Sequence, residues 1–253
     1  MADNTKWCIE YLKGVNGVRH EFGRSGFEEL RALMNITMPF DLSDEFYSRQ
    51  DAVLKYELSK KTIVHADELP FVAENVCLFR GDIICIEADA IVNACNSQML
   101  GCFLPLHYCI DNAIHTFAGL QMRRDLMAVM QKQGHDEPNG KCKVTSGYNL
   151  LSKYVLHTIG PVYNHSNQNV IDLKNCYASC LKKADEMGLK SIVFCSLSTG
   201  VFGYPIEDAS KIAIFAVKRY LENENKNIER VVFNLFSEKD YETYNRNIKE
   251  VYC

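Results

Sequence analysis

Ser191-Ile192-Val193-Phe194-Cys195-Ser196-Leu197 runs directly into Ser198-Thr199-Gly200-Val201-Phe202-Gly203 and then Tyr204-Pro205-Ile206. The first seven residues are mostly apolar, with β-branched and aromatic side chains that suit a buried strand. Two glycines follow, at Gly200 and Gly203, and glycine allows positive φ and close approach of a phosphate. Pro205 falls at the first turn of a helical pattern in which Ile206, Ala209, Ala213, Val217, Tyr220 and Leu221 share a face. Strand, glycine loop and helix start together make an anion site from backbone N–H groups and the helix dipole. The plain alternative is an ordinary strand-to-helix turn. The lysine of a P-loop is missing, so cleavage at a nucleotide γ-phosphate is not expected.

Working outward, similar apolar runs occur at 76–79, 90–94, 142–148, 154–159 and 231–236. Helical patterns separate several of them. In one, Leu173, Tyr177, Cys180, Leu181 and Ala184 line one face and Gly188 follows as a stop. Strands spaced by helices predict an α/β domain with helices on both faces of the sheet. The 142–159 pair has a short connection and is expected to be antiparallel, which makes the sheet mixed.

Residues 1–74 read differently. Ser25-Gly26-Phe27 opens a short helix with Phe27, Leu30 and Leu33 at helical spacing, and a second helix is predicted from Ser43, as cap, to Lys61. Phe46, Leu54 and Leu58 would face a core. The segment is expected to form an N-terminal helical extension on a main domain of residues 75–253.

Composition narrows the function classes. The 253-residue chain is 47% hydrophobic and carries a net charge of −4, from 28 basic and 32 acidic residues. That is enough for one sizeable core. It lacks the basic excess that duplex nucleic-acid binding requires. Residues 1–14 hold Lys6, Glu10 and Lys13 and no apolar core of a secretory signal, and no run is long enough to span a membrane. Eleven scattered cysteines then read as free thiols of a reducing, cytoplasmic compartment. Clustered Cys and His become metal candidates before disulfide candidates.

One such cluster is Cys102-Phe103-Leu104-Pro105-Leu106-His107-Tyr108-Cys109. Two thiols and an imidazole can converge on one zinc ion, with Pro105 helping the chain to turn. Three local ligands leave a position open, as a catalytic zinc needs. A fourth from Cys95 or His115 would make the site structural, and ordinary buried thiols beside a hydrogen-bonded histidine are the plain alternative. Upstream, Gly81-Asp82-Ile83 ends one strand and Asn93-Ala94-Cys95-Asn96 ends the next. Acids and amides at such ends can bind a base amine or ribose hydroxyls, because ligands of open α/β sheets gather there. They are also ordinary turn residues.

The order of these motifs, with Asp89-Ala90-Ile91-Val92-Asn93-Ala94-Cys95-Asn96 and then the cysteine–histidine segment running into Ile110-Asp111-Asn112-Ala113-Ile114-His115-Thr116-Phe117-Ala118-Gly119, resembles the zinc-dependent macrodomains. His157-Thr158-Ile159-Gly160-Pro161 and Phe233-Asn234-Leu235-Phe236 extend the resemblance over nearly the whole chain. It implies a three-layer α/β/α macrodomain with a mixed central sheet plus an N-terminal helical extension. The implied activity is removal of mono-ADP-ribose from modified protein side chains, with one Zn2+ per chain. By the same resemblance Asp82 accepts from the adenine amine beside the Ile83 N–H, and Phe236 packs on adenine. Ser198, Thr199, Gly200, Val201, Phe202 and Gly203 wrap the diphosphate, and Asn96 binds the distal ribose. Cys102, His107 and Cys109 hold zinc. Asp111 is either a catalytic acid or the cap of the following helix, and His115 is a packed core residue.

Implied partners are ADP-ribose and mono-ADP-ribosylated proteins, with a sirtuin-type transferase and a lipoyl-carrier-like substrate as further candidates. The rival readings are an ADP-ribose reader with structural zinc and a metal-stabilised interaction protein. Three positions depart from the family pattern: Cys95 for alanine, Arg123-Arg124 for Leu-Arg, and Leu151 for proline.

Overall fold

The computed structural model describes residues 1–20, 22 and 26–252. Three helices come first: α1 (Ala2–Asn16), α2 (Phe27–Ile36) and α3 (Asp44–Ser59). The Ser43 hydroxyl accepts from Phe46 N and caps α3 as the sequence suggests, while Gly26 caps α2 and Ser25 lies outside the described residues. Helix α1 is not singled out by the sequence pattern, yet its Cys8 and Leu12 are fully buried. They join Leu30, Leu33, Phe46, Val53, Leu54 and Leu120 in a small core of their own.

The remaining elements are β1 (Val64–His65), β2 (Phe71–Ala73), β3 (Val76–Arg80), β4 (Ile86–Glu87), β5 (Ala90–Ala94), α4 (Ile110–Ala118), α5 (Leu120–Gln133), β6 (Cys142–Ser146), β7 (Tyr154–Thr158), α6 (Asn167–Glu186), β8 (Ser191–Cys195), α7 (Ile206–Asn223), β9 (Arg230–Leu235) and α8 (Glu238–Tyr252). Seven strands form one mixed sheet in the order β2-β3-β9-β8-β5-β7-β6. The five central strands are parallel, and the edge strands β2 and β6 run antiparallel to their neighbours. Central parallel strands must be covered on both faces, which explains their nearly continuous apolar runs. Helices α6, α7 and α8 pack side by side, while α4 and α5 pack with β5 and β6 and meet α2 and α3. The sheet begins at Phe71, so β2 lies within the stretch that the sequence assigns to the extension.

The extension is bound to the sheet domain by polar contacts as well as apolar ones. Gln50 of α3 accepts from Leu120 N at the start of α5 (3.0 Å). The Phe27 and Phe117 rings stand 5.7 Å apart between α2 and α4. No helix of the described residues is long and apolar enough to cross a membrane. Ten cysteines among them are free.

Candidate functional site

Because β3, β9, β8, β5 and β7 are parallel, the loops after them open at one edge of the sheet. That geometry brings together most of the residues singled out in the sequence.

At one end, Gly81 N donates to Leu235 O (3.0 Å) and Asn234 Nδ2 to Gly81 O (2.9 Å). These bonds hold Asp82 and Phe236 on adjacent strand ends. Phe236 is 84% exposed, an apolar ring standing in solvent at the mouth of the edge. Asp82 accepts from Ile84 N (3.3 Å) and its other carboxylate oxygen lies 3.6 Å from Lys61 Nζ. Ile83 is buried beneath it.

In the middle lies the loop after β8. Left-handed backbone is found at Ser198 (φ 65°) and Gly203 (φ 68°), not at Gly200 as the glycine pattern suggests. Gly200 is exposed, and a Cβ built on it would meet nothing within 4 Å. Tyr204 N donates to Ser198 O and Gly203 N to Gly200 O, both at 3.0 Å, so the loop folds back on itself. Val201 is 81% exposed at its tip. Helix α7 follows, with Pro205 as its N-cap, which leaves its positive end at the loop. The Ser198 Oγ is buried without a hydrogen-bond partner, and a Cβ on Gly160 would fall 2.1 Å from it. Gly160 is thus required for this loop to pack.

At the other end, β5 runs into Cys95 and Asn96. The Cys95 thiol is buried and bonds to Thr158 O (3.2 Å), which removes it as a metal ligand. Asn96 Nδ2 donates to Gly101 O (3.1 Å) and its Oδ1 accepts from Gln98 N (3.1 Å). Asn96 therefore shapes the loop leading to Cys102 and stands beside it. Gly101 has φ 84°, and a Cβ there would meet the His115 ring at 2.8 Å.

Cys102, His107 and Cys109 bring their ligand atoms within 4.8 Å of one another, the one metal-capable Cys/His/Asp/Glu group among the described residues. Cys102 Sγ lies 3.5 Å from His107 Nδ1. Zinc–sulfur and zinc–nitrogen bonds of usual length around a tetrahedral ion place such atoms about 3.6 Å apart. The donor set and its spacing fit zinc. Burial pushes the Cys109 thiol up to about 12, so without a cation it stays protonated at neutral pH.

Further residues form the layer behind this loop. The N-cap of α4 is Cys109, whose sulfur accepts from Asn112 N (3.4 Å), so Asp111 is not the cap. Asp111 is 5% exposed and its Oδ1 accepts from Asn93 Nδ2 (2.8 Å). Burial raises its carboxyl to about 6 against the lowering effect of Asn93 and Arg123. Asn93 also meets His157 Nδ1 at 3.3 Å, and His157 Nε2 meets Thr145 Oγ1 at 2.9 Å. His115 is fully enclosed, as its place inside the helix suggests, and burial holds it well below the usual histidine range.

Sequence reading missed Arg31, Asn35 and the role of Arg123. Arg123 is 2% exposed; its Nε donates to Leu100 O (2.8 Å), and its Nη1 to the carbonyls of Met34, Asn35 and Thr37. The only signal was that an arginine replaces the leucine of the family pattern.

The comparisons with known proteins agree with this fold. A Macro domain model matches residues 92–213. A protein-ADP-ribose hydrolase of Treponema medium is 45% identical over 251 residues, covering 95% of this chain and 96% of its own. One from Staphylococcus aureus (strain MRSA252) is 41% identical, with 95% of each chain covered. Among solved structures, the Trypanosoma brucei macrodomain in complex with ADP-ribose superposes with TM-score 0.67 at 30% identity, over 85% of this chain and 94% of that one. The Oceanobacillus iheyensis macrodomain with ADP gives 0.65 at 32% identity, over 72% of this chain and 95% of that one. Similarity over nearly the full length of both chains, together with the sheet and its loops, places this chain in the macro domain family.

Proposed function

We propose that this protein hydrolyses mono-ADP-ribose from modified protein side chains and that Cys102, His107 and Cys109 hold a zinc ion for that reaction. The relatives named as protein-ADP-ribose hydrolases and the neighbours solved with ADP-ribose or ADP support the substrate class. The observation that carries the hydrolase over the reader is the donor set. Three Cys/His ligands converge with no fourth among the described residues, one peptide away from the carbonyl that Asn96 holds. Three protein ligands and an open position are what catalytic zinc requires, whereas structural sites are closed.

Each part of the edge has a task in this reading. Asp82 accepts the adenine amine and Phe236 covers one face of the base. The backbone N–H groups of 198–203 and the positive end of α7 hold the diphosphate without a basic side chain. Asn96 orients the distal ribose beside the metal ligands. Asp111 acts from behind, through Asn93 and the strand end that carries Asn96. Contacts to adenine and diphosphate supply binding energy that positions the distal ribose. When bound, zinc supplies Lewis acidity at that ribose or at an acyl carbonyl attached to it, moderated by two thiolate ligands. The family resemblance adds a sirtuin-type transferase and a lipoyl-carrier-like protein as partners.

The test is incubation with mono-ADP-ribosylated proteins of defined linkage, with and without a zinc chelator, measuring free ADP-ribose. Chelator-sensitive release is expected. Tight ADP-ribose binding with no release from any linkage means the reader function instead.

A further inference from the structure

The metal loop is held from outside by the N-terminal extension. The chain from Leu104 to His107 closes a turn in which His107 N donates to Leu104 O (3.2 Å), with Pro105 and then Leu106 at its centre. Leu106 has φ 57°, a left-handed conformation unfavourable for a leucine. Such a turn, with proline followed by a positive-φ residue, ordinarily takes glycine or asparagine at the second position. Here the conformation is supported across the domain boundary, because Leu106 N donates to Asn35 Oδ1 of α2 (2.9 Å). Asn35 is itself buried and fixed by donating to Thr116 Oγ1 of α4 (3.2 Å).

One helical turn earlier on α2, Arg31 reaches the ligand residue itself. Its Nη2 donates to His107 O (3.0 Å), and Nε and Nη2 both donate to Asn112 Oδ1 (3.2 and 2.8 Å). Asn112 passes this on in two directions. Its Nδ2 donates to Leu104 O at the start of the turn (3.1 Å), and its backbone N donates to Cys109 Sγ (3.4 Å). On the other side of the loop, Arg123 joins Leu100 O to the last carbonyls of α2. Every stretch of the loop that bears a ligand is therefore one or two hydrogen bonds from α2. Groups that orient metal ligands in this way commonly change metal affinity about 10- to 100-fold when removed.

We infer that helix α2 of the extension is the outer support of the metal loop, with Arg31 and Asn35 as positioning residues that set how tightly Cys102, His107 and Cys109 hold zinc. The inference rests on the zinc reading above only for the identity of the ion; the support of the loop is independent of it.

Arg31→Ala is the primary variant, because Arg31 is only half-buried. Zinc affinity is read by competition with a chromophoric chelator, and amide hydrogen exchange of residues 103–109 is followed in metal-free protein. Zinc binding should weaken at least tenfold and exchange across the loop should quicken, while ADP-ribose affinity by calorimetry stays within twofold. Arg31→Lys should not restore the affinity, since a lysine cannot bridge His107 O and Asn112 Oδ1 together. Arg31→Gln, which keeps one amide donor, serves if the alanine variant loses its circular dichroism, and should bind zinc more weakly than the parent protein and show quickened loop exchange. A folded variant with parental zinc affinity and parental loop exchange overturns the inference. If the parent protein binds no zinc, the metal reading fails by itself. Loop exchange then decides the inference, quickened exchange sustaining it and unchanged exchange overturning it.

Discussion

His107 Nδ1 lies 3.5 Å from Cys102 Sγ because the intervening turn folds the imidazole back over the thiol. Cys109 completes the group from the N-cap of α4. One zinc per chain is therefore expected in protein purified without added metal. Elemental analysis should find it lost from the Cys102→Ala, Cys109→Ala double variant, and unchanged metal content there would remove these residues as its ligands.

Gly200 has room for a side chain but sits where the diphosphate is proposed to lie. Gly200→Glu should leave the fold intact, as it is exposed and its backbone is not left-handed. It should abolish measurable ADP-ribose binding through bulk and like charge. Parental affinity by calorimetry would exclude this loop as the phosphate cradle.

Asp82 and Cys102 stand at opposite ends of the edge, so binding and chemistry should separate. A hydrogen bond to a charged group is worth roughly 1.5–3 kcal/mol, about tenfold to 150-fold in affinity. Asp82→Ala should weaken ADP-ribose binding by about that factor, with turnover largely recovered at saturating substrate. Cys102→Ala should do the reverse, binding within a few fold and losing hydrolysis. Parental turnover in a folded, metal-free Cys102→Ala protein would make the zinc structural.

His157 is held neutral by burial, with its pKa lowered from 6.5 to about 3. The unfolded chain takes up a proton below pH 6.5 that the folded protein refuses until about pH 3. Stability contributed by neutral His157 is thus complete above pH 6.5 and is lost as pH falls towards 3. At pH 5 this amounts to about 2 kcal/mol, at about 1.36 kcal/mol per pH unit. Buried His115 works in the same direction. His157→Gln should shrink the difference in denaturant stability between pH 7 and pH 5 by about that amount; an undiminished difference would assign the acid sensitivity elsewhere.

Arg123 satisfies buried carbonyls of Leu100, Met34, Asn35 and Thr37 with one guanidinium. Arg123→Met keeps the length but leaves the Leu100, Asn35 and Thr37 carbonyls without this donor, at about 1–3 kcal/mol for each buried group that finds no water, while Met34 O keeps its bond from Thr37 N (3.3 Å). A loss of at least about 3 kcal/mol is expected in urea unfolding. A loss below about 1 kcal/mol would mean that the junction between α2 and the metal loop is held by other contacts.

The strands and long helices were legible because each repeats a burial pattern along its own length. Val231, Val232 and Phe233 are apolar without a break because β9 lies between β3 and β8. Leu173, Tyr177, Cys180, Leu181 and Ala184 recur at helical spacing because one face of α6 is buried. Motif order was enough to place Asp82, Asn96 and residues 198–203 at strand ends, since parallel strands send their loops to one edge. Helix α1 escaped because its buried side chains are few and its remaining face is polar.

What only the tertiary structure decided is which polar groups meet. Nothing in the local sequence ties Arg31 to His107, Asn35 to Leu106, or Arg123 to Thr37. Asp111 could be read as cap or acid until the fold placed it behind the loop, with Cys109 at the cap. The physical reason is that burial of apolar surface is averaged over a whole face and leaves a period in the sequence. A hydrogen bond depends on about 3 Å between two atoms and leaves none. Sequence thus determined the layers and the edge at which a ligand would lie, and folding determined the shell of contacts around Cys102, His107 and Cys109.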